Sequence, residues 1–85
     1  MPTKSVTVGS AVGLHARPAA VISEAAGELD TEVTLSVPGG EPVDASSALL
    51  IMTLGSKKGD TVEVSSEDQV ALDKIAALVE QDLDA

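Results

Sequence analysis

The residues best equipped for chemistry stand two apart near the start of the chain: His15, the only histidine, and Arg17, the only cation between Ser5 and Ser56. An imidazole presents a nitrogen lone pair near neutral pH and so serves as a nucleophile or proton carrier. A guanidinium presents a planar fork of donors matched to phosphate oxygens. Pro18 follows at once, and proline is tolerated in the first turn of a helix because the N–H it lacks would have no partner there. His15 is therefore expected at the N-cap of a helix that starts near Ala16. At such a terminus, unpaired N–H groups and the positive end of the helix dipole, roughly half an elementary charge, attract anions. The backbone of Ala16 and Arg17, the Arg17 side chain and the His15 ring thus converge on one ligand type, a phosphoryl group carried by His15. A histidine at an N-cap also commonly does nothing beyond capping or solvation, and residue types alone leave both readings open.

Composition excludes several other chemistries. The sequence has no cysteine, so there is no disulfide framework, thiolate chemistry or cysteine-ligated metal, and a single histidine cannot form a histidine metal cluster. A net charge of −9, from 14 acidic against 5 basic residues, disfavours nucleic acid and anionic membranes as partners. Eight of the acids lie between Asp60 and Asp84, where Lys74 is the only base. Neither a secretory leader nor an apolar run of membrane-spanning length is present, and a cytoplasmic protein is expected. The 85 residues are expected to form one domain, 1–85, with a core built of Val, Leu, Ile, Ala and Met, since no residue is aromatic.

Several elements must position the pair. Ser5-Val6-Thr7-Val8 alternates as a half-buried strand does, and Gly9-Ser10 interrupts it. From Pro18, the apolar residues Val21, Ile22, Ala25, Ala26 and Leu29 follow the period of an amphipathic helix that ends near Gly27. Glu32 to Val37 alternates again, Pro38-Gly39-Gly40 is a turn, and Pro42-Val43-Asp44 returns as a short strand. Ala48 to Met52 reads as a short helix, capped by Ser46 or Ser47 and ended by Gly55. The turn Gly59-Asp60 leads into a strand from Thr61 to Ser65. Ser66 with Gln69 has the spacing of a capping box, with Glu67 and Asp68 adding negative charge at the helix start. That helix is expected to bury Leu72, Ile75, Ala76, Val79 and Leu83. The order βαββαβα predicts an α+β fold: an open-faced two-layer sandwich of four mostly antiparallel strands with three helices on one face. Ser5, Thr7, Glu32, Thr34 and Glu63 are expected on the solvated face.

The segment Gly13-Leu14-His15-Ala16-Arg17-Pro18-Ala19 resembles the phosphorylation-site signature of the HPr family, the histidine phosphocarriers of the bacterial phosphoenolpyruvate:sugar phosphotransferase system. The likeness covers essentially the whole chain and includes a second stretch, Val43 to Gly55, followed by Lys58-Gly59-Asp60. The resemblance implies that His15 accepts a phosphoryl group on Nδ1 from the phosphohistidine of enzyme I and passes it to enzyme IIA, while Arg17 stabilises the group in transit. It implies a carrier, not a free-standing enzyme, with no metal or small-molecule cofactor, acting as a monomer. A regulatory kinase or a transcription factor are further partners known to such families.

The second stretch resembles the family's regulatory segment, which puts Ser47 at the serine phosphorylated in some relatives, with Ser46 one residue before it. Capping of the short helix is the expected role of Ser47, because Ala48 and Leu50 depart from the pattern of regulated relatives. Leu49 and Met52 share one helical face, which spacing alone allows to be either core or a partner patch. The resemblance favours a partner surface, with Ala16 and Ala20, and leaves Leu50, Ile51 and Leu54 as core candidates. Val12 and Glu24 also depart from common family choices. A regulatory branch of the same family, related to nitrogen metabolism, would share His15 and differ in partners. An acyl carrier protein, from another class, would need a prosthetic-group serine in an Asp-Ser-Leu setting, which the chain lacks.

Overall fold

Valines alternating with polar residues determine how the sheet sits. The computed structural model describes residues 2–11 and 13–81. Four strands, β1 (Thr3–Thr7), β2 (Val33–Ser36), β3 (Val43–Asp44) and β4 (Thr61–Ser66), form one sheet in the order β1-β4-β2-β3. Every neighbouring pair is antiparallel. The register sets Val6 opposite Val62 and Leu35 opposite Val64. Because side chains alternate along a strand, Val6, Val33, Leu35, Val62 and Val64 share a buried face, whereas Ser5, Thr7 and Thr61 are exposed on the other. The turn after β2 closes with the Gly40 amide donating to the Val37 carbonyl at 2.9 Å.

Three helices cover the apolar face: α1 (Ala16–Gly27), α2 (Ala48–Thr53) and α3 (Gln69–Glu80). Ala19, Ile22 and Ala26 from α1, Ile51 from α2, and Ala71, Leu72, Ile75, Ala76 and Val79 from α3 join the sheet valines in a single core. Each fully buried Val, Leu or Ile side chain contributes about 1.5–3 kcal/mol. The βαββαβα order and the α+β class agree with the sequence reading.

Three local expectations are corrected. The cap of α3 is Asp68, whose carboxylate accepts from the amides of Val70 and Ala71. Ser66 instead extends β4 opposite Val33, and its hydroxyl accepts the Asp68 amide at 3.2 Å. Gln69 makes no reciprocal cap; its side-chain amide donates to Asp73 one turn on. Val21, expected in the buried stripe of α1, is 36% exposed, and Leu50, expected in the core, is 39% exposed. A six-residue helix such as α2 buries only a narrow stripe, here centred on Ile51. Val12 and Leu83 lie outside the described residues.

Candidate functional site

The loop between β1 and α1 turns its side chains inward, outward and inward again. Leu14 is buried, His15, Ala16 and Arg17 are exposed, and Pro18 and Ala19 are buried. The buried residues anchor both ends of a short exposed segment, so the imidazole and the guanidinium face solvent from a fixed base. His15 is the N-cap of α1, with extended backbone (φ −84°, ψ −163°) and no capping hydrogen bond from its side chain. Its carbonyl accepts the Ala19 amide at 2.9 Å, the first helical hydrogen bond. Pro18 has no N–H, so the helix leaves the amides of Ala16 and Arg17 without an intrahelical partner. The ring is thus not spent on capping, and two backbone donors remain beside it for an anion.

The loop is tied down by backbone contacts. The Gly13 amide donates to the Ser10 carbonyl at 2.9 Å and the Leu14 amide to the Ser56 carbonyl at 3.0 Å. Gly13 has φ +74°, and a Cβ there would run into the Ser56 carbonyl and stand 2.8 Å from the Lys57 Cα. Only glycine allows that approach. The contact brings a second basic residue, Lys57, beside the loop. Arg17 is the only cation between Ser5 and Ser56 in sequence, and the approach of Gly13 to Ser56 and Lys57 joins residues too far apart for a local pattern to show.

At α2 the two serines have separate tasks. Ser47 is the N-cap and accepts the Leu50 amide at 3.3 Å. Ser46 donates its hydroxyl to the Asp44 carboxylate at 2.7 Å, and its amide donates to the same oxygen at 2.9 Å. These bonds stabilise the charged carboxylate: the backbone amide first, then the hydroxyl, hold the Asp44 pKa below its ordinary value against a smaller opposing effect of burial. Leu49 is 69% exposed and Met52 37%, on a helix packed against α1, whose Ala16 and Ala20 are exposed too. A cleft of about 240 Å³ opens at the other end of α1, between Gly27, Glu32, Asp44 and Ser46, away from His15. Among the described residues no cluster of three or more His, Cys, Asp or Glu is placed to hold a metal ion, and no helix is long and apolar enough to cross a membrane.

A family model described as the phosphorylation site of the HPr component of the phosphotransferase system matches residues 2–81. The chain belongs to the HPr family. Phosphocarrier protein HPr of Streptomyces coelicolor is 37% identical, over 99% of this chain and 94% of its own length. Phosphocarrier protein NPr of Shewanella violacea is 36% identical, over 95% of this chain and 91% of its own length. The crystal structure of an HPr from Bacillus anthracis superposes with a TM-score of 0.84 at 31% identity, covering 92% of this chain and 95% of that one. As an HPr-family member the chain is a phosphocarrier of the phosphotransferase system, not a catalyst in its own right.

Proposed function

We propose that this chain takes a phosphoryl group onto Nδ1 of His15 from phospho-enzyme I and delivers it to a histidine of enzyme IIA in sugar uptake. The observation that carries the reading is the exposed His15 ring, free of any capping bond, beside the amides of Ala16 and Arg17. In each transfer one N–P bond forms as another breaks, and negative charge spreads over the equatorial phosphoryl oxygens. The two amides, the positive end of α1 and the Arg17 fork stabilise that charge. The partner supplies the other half of the site, so the chain turns over only in complexes. Ala16, Ala20, Leu49 and Met52 form the apolar part of the docking surface. The protein works in the cytoplasm as a monomer, in a single domain. Ser47 serves as the cap of α2, and Ser46 holds Asp44.

The NPr relative favours a second reading, in which the same His15 chemistry serves the nitrogen-related regulatory branch. Both are tested by incubating the protein with phosphoenolpyruvate, magnesium and either enzyme I of the sugar branch or that of the regulatory branch, followed by intact mass. Gain of one phosphoryl group with the sugar-branch enzyme supports the first reading. Gain only with the other supports the second, and no gain with either removes both.

A further inference from the structure

The loop carrying His15 is held from a second side, by the end of the chain's last helix. The Gly9 amide donates to the Val79 carbonyl at 3.1 Å, and the Ser10 hydroxyl donates to the Gln81 carbonyl at 3.3 Å. A helix leaves its last carbonyls without intrahelical donors, and here the loop supplies one to Val79 in the last turn and one to Gln81 at the C-cap. Gly9 also lies so close to α3 that a Cβ would run into the Glu80 carbonyl. Ser10 is fully buried, and its own carbonyl accepts the Gly13 amide, closing the turn that delivers Leu14 and His15. A continuous path of backbone contacts therefore runs from the last turn of α3 through Gly9, Ser10 and Gly13 to His15. The path joins Ser10 and Gln81, 71 residues apart in the chain, so the shape of the loop depends on the docking of α3.

We propose that the last turn of α3 is a strut that sets His15 relative to the Ala16 and Arg17 amides, with Gly9 and Ser10 as positioning residues for phosphoryl transfer. The inference rests on the reading of His15 as the acceptor. Its physical basis is that the exposed ring makes no capping hydrogen bond, and none to another described residue, that would orient it, so its backbone must do so. A misplacement of about 1 Å in a reacting atom costs on the order of 100-fold in rate. Gly9 does not have positive φ, so alanine there meets no backbone strain and tests the close approach alone.

The experiment compares wild type, Gly9→Ala, Ser10→Ala and Gly39→Ala. Gly39 has φ +82° in the β2–β3 turn, with no atom within 4 Å of an added Cβ, so its alanine variant loses stability through backbone strain alone, without a clash against α3 or the His15 loop. Enzyme I-dependent phosphorylation is followed as kcat/KM well below every melting temperature, and the Ala16, Arg17 and His15 resonances are followed by NMR without any partner. The strut predicts a loss of roughly tenfold or more for Gly9→Ala, a smaller loss for Ser10→Ala, and displaced resonances in both. Gly39→Ala should show neither effect. Wild-type rates with unmoved resonances in both loop variants overturn the proposal, as does slowing that merely tracks lost stability and is shared by Gly39→Ala. If Gly9→Ala does not fold, Ser10→Ala decides alone. If wild type itself gains no phosphoryl group, the acceptor reading has failed, and the resonances alone then decide whether the strut exists.

Discussion

Leu14 donates its backbone amide to the carbonyl of Ser56, tying the residue before the candidate phosphoryl acceptor to the segment that leaves α2. The same serine carries an anomaly. It is 5% exposed, and its hydroxyl has no hydrogen-bond partner among the described residues. A buried hydroxyl left unpaired costs on the order of 1–3 kcal/mol in desolvation. Ser56→Ala removes that hydroxyl and keeps the carbonyl that holds Leu14. The variant should be as stable as wild type or more stable by about 1 kcal/mol. Urea unfolding at neutral pH checks this, and a clear loss of stability would mean that the hydroxyl is paired in solution.

The exposed apolar residues of α2 carry the docking prediction. Leu49 at 69% exposure contributes little to the core, so a charge there should leave the melting temperature nearly unchanged. Leu49→Asp and Met52→Asp should each weaken binding to enzyme I by at least about 1 kcal/mol, as loss of an interface anchor does. Titration calorimetry of the wild type and both variants provides the comparison; unchanged affinity would move the docking surface elsewhere.

Asp44 should leave a mark on acid stability. Hydrogen bonds from Ser46 lower its pKa in the folded protein relative to the unfolded chain. Its contribution is then fully present above the unfolded-state value and is lost as pH falls through the folded-state value. Asp44→Asn should reduce stability at neutral pH and flatten the acid limb of the stability profile. Urea midpoints from pH 7 down into the acid range test the sign, and an unaltered acid limb would show that the bonds from Ser46 contribute nothing to it.

Arg17 separates charge from geometry. The guanidinium is exposed and should matter more to the group in transit than to the fold. Arg17→Lys keeps the charge and loses the fork, so it should transfer more slowly than wild type, and Arg17→Ala more slowly still. Both should melt close to wild type. Quench-flow phosphorylation by enzyme I orders the three, and equal rates would leave Arg17 as a solvated surface residue.

The elements around His15 were legible because their signals are local. Pro18 marks the first turn of α1 by its missing N–H, and Gly27 closes the helix where the apolar stripe runs out. The valine alternation likewise gave the strands, and Pro38-Gly39-Gly40 the hairpin turn. Misreadings arose where two local rules competed. Ser66 fits both a strand end and a helix cap; pairing with Val33 retained it in the sheet and passed the cap to Asp68. Leu50 and Val21 are apolar at positions that periodicity assigns to the core, yet the helices face the sheet through Ile51 and Ile22. The strand order, and the close approaches of Gly9 to Glu80 and Gly13 to Ser56, depend on residues far apart in the chain, and no short window of sequence encodes them.

The intact mass of wild type and His15→Ala after incubation with phosphoenolpyruvate, magnesium and enzyme I decides whether His15 carries the phosphoryl group. An N-cap side chain contributes about 1 kcal/mol, and this one makes no capping bond, so the variant should fold. Wild type should gain one phosphoryl group, lost again in acid as a phosphoramidate is, and His15→Ala should gain none. A phosphoryl group that appears on His15→Ala, or that survives acid on wild type, would contradict the assignment and turn attention to Ser46 and Ser47.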